Sequence, residues 1–152
     1  MKKLLLILML LFLFPLVAAS QKQKPPKHHI SIGILDSKTG FSAVGYSRSI
    51  LQNKNNELFI GFGTMLALNT VVAGYKKYLF RAFVDGYSVI SVQNIFGMSG
   101  DSDAVCLSIG LEKKIWKVFF INAGGNIHVV EEADLLDGDF LAFPYLNINI
   151  RF

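Results

Sequence analysis

The chain ends in Leu146-Asn147-Ile148-Asn149-Ile150-Arg151-Phe152, an unbroken alternation of apolar and polar side chains. A period of two belongs to a strand with one apolar and one polar face. Leu146, Ile148, Ile150 and Phe152 share the apolar face, and Asn147, Asn149 and Arg151 share the other. The same pattern recurs upstream. Ile30, Ile32 and Ile34 alternate with His29, Ser31 and Gly33. Leu58, Ile60, Phe62, Leu66 and Leu68 alternate with Phe59, Gly61, Gly63, Met65 and Ala67. Val105, Leu107, Ile109 and Leu111 alternate with Cys106, Ser108, Gly110 and Glu112.

Working outward, the pattern predicts eight strands: 29–35, 41–50, 57–68, 71–79, 82–95, 103–113, 115–130 and the stretch from 140 to the C-terminus. Turn-forming clusters separate them, including Asp36-Ser37-Lys38-Thr39-Gly40, the polar bend 52–56, a tight bend at Asn69-Thr70, a short bend at Phe80-Arg81, the loop 97–101, Lys113-Lys114 and the acidic loop 131–139. Gly124-Gly125 predicts a bulge or a sharp coil within the seventh strand.

The other end of the chain has a different character. Met1-Lys2-Lys3 precedes an uncharged apolar run from Leu4 to Val17 and the small residues Ala18-Ala19-Ser20. A basic start, a short apolar run and small residues describe a secretory signal peptide, too short for a comfortable membrane helix. The expected organisation is therefore a signal peptide over 1–20, a polar, proline-bearing periplasmic lead-in over 21–28 and one β domain over 29–152. Without Lys2 and Lys3, thirteen basic residues face eleven acidic ones, a formal charge of +2. Such a balance gives no basic footprint for nucleic acid. Cys106 is the single cysteine, so no internal disulfide can staple the fold.

An exported, apolar-rich chain without a second long apolar run fits a transmembrane barrel, where every second residue meets lipid. At the C-terminal strand the residues resemble those of bacterial outer-membrane β-barrel proteins, whose closing strand ends in Phe after alternating apolar positions. The chain departs from the family in having Asn147 where many members carry a Gly. The resemblance implies an all-β, antiparallel, up-and-down transmembrane barrel of eight strands, located in the outer membrane and acting as a monomer. It implies outer-membrane lipid as surroundings and the barrel-assembly machinery as a partner, which would read Leu146, Ile148, Ile150 and Phe152. With both termini periplasmic, 36–40, 69–70, 97–102 and 131–139 become outer loops, and 51–56, 80–81 and 113–114 become inner turns.

In a barrel this narrow the interior is filled by side chains. Asn147, Asn149, Arg151 and Glu112 are expected to face the lumen, with Lys76 as a partner, since buried charges need pairing. Tyr46, Trp116 and Tyr145, together with Tyr75, Tyr78 and Phe119, are candidates for interfacial aromatic girdles.

Chemistry-bearing residues are sparse. His28 and His29 point to opposite faces of a strand and make a poor chelate. His128 near Glu131 and Glu132 has no nucleophile in a recognisable arrangement around it, and Cys106 reads as a structural thiol. The carboxylates of Asp134, Asp137 and Asp139 do not match the twelve-residue calcium loop. The sequence thus predicts no catalytic residue, metal or cofactor. The expected role is non-enzymatic: structural, adhesive or binding through external loops whose partner the sequence does not name. The alternatives are a soluble exported β-barrel holding a small apolar ligand, and a lipid-modifying barrel enzyme built on His128.

Overall fold

The computed structural model describes residues 26–97, 100–131 and 140–152. Eight strands follow one another: β1 His28–Ile34, β2 Val44–Gln52, β3 Asn56–Met65, β4 Leu68–Phe80, β5 Asp85–Gly97, β6 Gly100–Lys114, β7 Phe119–Glu131 and β8 Phe140–Arg151. Each pairs antiparallel with its sequence neighbours, and β1 also pairs with β8, closing an up-and-down barrel. At the seam His28 and Phe152 exchange two backbone bonds of 3.0 Å. Closure leaves no first or last strand, which removes the edges that an open sheet must protect. The expected signal peptide and most of the lead-in fall outside the described residues.

Side chains sort by parity along every strand, because successive residues point to opposite faces. The outward set is apolar and exposed, as in Ile32, Ile60, Phe62, Leu107, Ile109 and Ile148. The inward set is largely polar: His29, Glu57, Lys76, Glu112, Asn126, His128 and Asn149 are each no more than 3% exposed. An apolar cluster also lies inside, made of Leu35, Phe41, Phe59, Val72, Val89, Ile95 and Ala104 with Tyr78, Tyr87 and Tyr145.

The wall is uneven. β1 has 7 residues and β6 has 15. The β1–β8 register stops at Ile34↔Leu146, so β8 from Phe140 to Tyr145 continues beyond the end of β1. Pro144 stands in that stretch, where its missing N–H costs no ladder bond on the side that β1 has vacated. At this low side of the wall the chain turns inward.

Residues 36–40, expected as an outer loop, instead form a plug inside the barrel. Leu35 adopts a left-handed conformation, φ 58°, and reverses the chain. Asp36 and Gly40 then pair through N–H···O bonds of 3.0 and 2.9 Å. Every residue from Leu35 to Ser42 is buried. Room comes from glycines on the lumen face of β2 and β3: a Cβ at Gly45 would collide with the Thr39 side chain, at Gly61 with the Lys38 carbonyl, and at Gly63 with Thr39 and Ser42. Phe41 and Ser42, expected to begin the second strand, belong to this inward excursion, and Ala43 rejoins the wall through backbone bonds to Gly33 and Thr64.

Several other boundaries shift. The bend expected at Asn69-Thr70 lies at Leu66-Ala67, where Leu66 is left-handed at φ 53° and Met65 pairs with Leu68. Lys113 and Lys114 are paired with Ile121 and Phe120, which moves the turn to 115–118. The loop expected at 97–102 shortens, since β5 and β6 pair as far as Gly97↔Gly100. The bulge expected at Gly124-Gly125 is absent, and the register runs evenly through both. Register shifts occur instead in β2, between Ser49 and Leu51, and in β4, between Tyr78 and Phe80.

Gly124 has a packing reason instead. Tyr87, Gly110, Gly124 and Tyr145 form one cross-strand row over β5, β6, β7 and β8. The two tyrosine rings fold over the two glycines, where any Cβ would strike the Tyr145 hydroxyl. The Tyr145 hydroxyl donates to that of Tyr87 at 2.9 Å. Tyr145 therefore belongs to the interior and not to an outward aromatic girdle, as does Tyr78, which is 5% exposed.

Candidate functional site

The densest chemistry lies in the lumen toward the end where β1 begins and β8 ends. Strand parity delivers one inward residue from each of several strands to this level: His29 from β1, Ser49 from β2, Glu57 from β3, Lys76 from β4, Glu112 from β6, Asn122 from β7 and Arg151 from β8. Register places Glu57 opposite Lys76, His29 opposite Arg151 and Glu112 opposite Asn122. The plug adds Lys38 from above.

Two carboxylates organise this ring. Glu112 accepts from Lys76 Nζ at 2.8 Å, from the Tyr78 hydroxyl at 2.9 Å and from Arg151 Nη2. In the amide orientation its surroundings require, Asn122 also donates to Glu112 Oε2 at 3.1 Å. Glu57 accepts from Lys38 Nζ at 2.5 Å and from the Ser49 hydroxyl, and His29 Nε2 stands 3.4 Å away. The cations also rest on aromatic faces. Lys76 Nζ lies 3.7 Å from the Tyr87 ring centre, and the Arg151 guanidinium 3.9 Å from that of Phe120. Three buried cations thus meet two buried carboxylates, with the aromatic faces and hydroxyls sharing the remaining charge.

Asn147 and Asn149 extend this network upward. Asn149 donates to the Asn147 side-chain oxygen at 2.8 Å, and Asn147 donates to the Leu35 carbonyl at 3.1 Å, tying β8 to the base of the plug. Thr70 holds the other side of the plug through the Phe41 carbonyl at 3.3 Å. All four residues expected in the lumen, Asn147, Asn149, Arg151 and Glu112, are buried there. Leu146, Ile148 and Ile150 lie on the outward face, and Phe152 stacks on His28 with ring centres 5.8 Å apart. Tyr46 is outward and bonded to His28 Nδ1 at 2.6 Å. Trp116 is exposed in the 115–118 turn.

Sequence reasoning missed a second cluster. The side chains of Glu131 and Glu132, read in the sequence as neighbours of His128, lie outside those described. His128 faces Cys106, its direct cross-strand partner, with Nε2 3.7 Å from Sγ. Phe41 from the plug lies against the imidazole at a centroid distance of 4.7 Å, with Phe143 beside it at 6.2 Å and in edge contact with Phe41. Both Cys106 and His128 are fully buried. The only available signal was register: pairing β6 with β7 through the Gly110–Gly124 row brings 106 opposite 128. Among the described residues no group of three or more His, Cys, Asp or Glu could hold a metal ion. The carboxylates of Asp134, Asp137 and Asp139 lie outside the described residues.

The arrangement is only partly satisfied from within: His29 Nδ1, Glu57 Oε2, Arg151 Nε, His128 Nδ1 and both side-chain amide atoms of Asn126 are buried without a hydrogen-bond partner among the described residues. Its charges are paired with each other, its thiol and imidazole are enclosed, and the plug fills the space between them. Comparison with known proteins returned no matching family model, no similar curated protein and no similar solved structure.

Proposed function

We propose that this chain is a small, non-enzymatic β-barrel protein of the bacterial outer membrane, with a structural, adhesive or binding role at the barrel end opposite the β1 start. The observation that carries the reading is the inverted polarity of the wall. Large apolar side chains, including Ile34 at 70%, Ile109 at 63% and Leu146 at 59% exposure, face outward, while Glu57, Lys76 and Glu112 are sealed inside. Water would penalise such an exterior, and contiguous exposed apolar surface of this kind marks a lipid or protein contact. Closure pairs the backbone of the wall except along the side of β8 that β1 has vacated, and paired backbone is the condition for crossing hydrocarbon with strands.

A soluble barrel holding an apolar ligand would need the reverse distribution, with its greasy face inside. Here the lumen is taken up by the plug, the ion pairs and the tyrosine pair. A lipid-modifying enzyme would have to rest on Cys106 and His128, whose contact is sealed from solvent at 0% exposure of either residue. The outward face of β8 with Phe152 is the segment offered to the barrel-assembly machinery, and the closed ladder favours a monomer.

Fractionation with a heat-dependent gel shift tests the reading. The protein should sediment with the outer membrane and migrate differently boiled and unboiled, because a closed barrel resists detergent until heated. Recovery in the soluble periplasmic fraction without a shift would refute it.

A further inference from the structure

The exposed charges of the barrel are segregated by end. Of the eleven Lys and Arg residues described, Lys38, Lys76 and Arg151 are buried, and the other eight are exposed. All eight lie toward the end where β1 begins and β8 ends. Six form the rim and its turns: Lys54 between β2 and β3, Lys77 and Arg81 at the end of β4, Lys113 and Lys114 at the end of β6, and Lys117 in the next turn. Lys27 precedes β1, and Arg48 stands on the outer wall of β2 opposite His28. The carboxylates of this end do not offset them. Glu57 and Glu112 are buried in ion pairs, which leaves half-buried Asp85 as the one other described side-chain carboxylate there. At the far end Asp101 and Asp103 are exposed, and among the described residues no exposed cation accompanies them.

The basic rim carries aromatic side chains among its cations. Phe83 and Trp116 are 82% and 70% exposed. Lys113 Nζ lies 3.9 Å from the Phe83 ring centre, and the Arg81 guanidinium 4.0 Å from that of Tyr78. Immediately beyond the rim the apolar exterior begins, with Leu79, Phe80, Leu111 and Ile115 exposed. Amphipathic aromatics next to cations, bordering an apolar belt, match the depth at which lipid headgroups sit.

We propose that this rim is a docking surface for anionic phospholipid headgroups, a proposal that rests on the membrane reading above. Lysine and arginine donate to phosphate oxygens, and a net anionic headgroup adds attraction that a zwitterionic one lacks. The rim would thereby favour acidic lipid in the leaflet around the β1 start.

The test compares lipid retention. The full barrel, purified in neutral-detergent micelles doped with equal phosphatidylglycerol and phosphatidylcholine, is repurified and its bound lipid counted. Phosphatidylglycerol should be retained about tenfold or more over phosphatidylcholine, as expected for several rim cations near an anionic surface. The excess should fall toward parity in a Lys113→Gln, Lys114→Gln, Lys117→Gln variant. The heat-dependent gel shift reports whether that variant folds; if it does not, Lys54→Gln with Lys117→Gln, confined to turns, replaces it. Equal retention of the two lipids by the wild type, or an excess that the folded variant keeps, overturns the proposal while leaving the membrane reading standing. Retention of neither lipid by a protein that also stays soluble without detergent removes both.

Discussion

The β1–β2 and β3–β4 connections leave the same end of the barrel, and each carries a leucine in the left-handed region, Leu35 at φ 58° and Leu66 at φ 53°. A left-handed leucine costs about 1–2 kcal/mol. In the β3–β4 turn nothing offsets that cost, since Leu66 is fully exposed. In the β1–β2 connection the same backbone angle sends the chain into the lumen, where Leu35 is 7% exposed and Lys38 reaches Glu57. The difference lies less in the loops than in the walls they meet. Gly45, Gly61 and Gly63 clear a bed on β2 and β3, and Glu57 at its floor supplies the charge that fixes the tip.

The largest effect is expected at that floor. Glu57→Gln leaves the Lys38 ammonium buried without a carboxylate, a change expected to cost about 3–5 kcal/mol. The loss should appear as a lower urea midpoint of the micelle-folded protein. Adding Lys38→Met to Glu57→Gln should recover part of it, so the double variant lies well above the sum of the single effects. Additive losses would mean that the two side chains do not meet.

Filling the bed comes next. Gly61→Leu places a side chain against the Lys38 carbonyl, and backbone cannot yield as a flexible side chain can. A loss of about 3 kcal/mol is expected, with the plug displaced or the strands spread. Ile60→Leu, one residue away but on the outward face, should change the midpoint little.

The two leucines give the finest comparison, because the same substitution should act with opposite signs. Leu35→Gly relieves strain but empties a buried position, for a net loss of about 2 kcal/mol. Leu66→Gly relieves strain and loses no packing, so the midpoint should hold or rise by up to about 1 kcal/mol. Losses of equal size at both sites would mean that the β1–β2 connection is not inside.

Much of the wall was legible in the sequence. Alternation, together with the turn clusters between strands, located the eight strands although it is blurred over 115–130, and parity placed Asn147, Asn149, Arg151 and Glu112 on the lumen face, because side-chain direction in a strand is set locally. What was not legible required two strands at once. Asp36-Ser37-Lys38-Thr39-Gly40 has the composition of a surface turn, and only the three glycines on the facing strands reveal where it goes. Gly124-Gly125 has the composition of a bulge, yet the Tyr87–Tyr145 pair accounts for Gly124 through register. Tyr145 looked like an interfacial aromatic until its place opposite Gly124 put it inside. The Cys106–His128 contact depends on the same alignment of β6 with β7.

The most direct test of the inverted wall and its plug is a nuclear Overhauser spectrum of the methyl-labelled protein in detergent micelles. The methyls of Ile32, Ile60, Leu107 and Ile148 should show cross-peaks to detergent acyl chains. Val72 and Val89 should show none, and Thr39 should contact the backbone of Gly45. Acyl contacts to Val72 and Val89 with none to the outward set, or Thr39 seen only against solvent, would contradict the account.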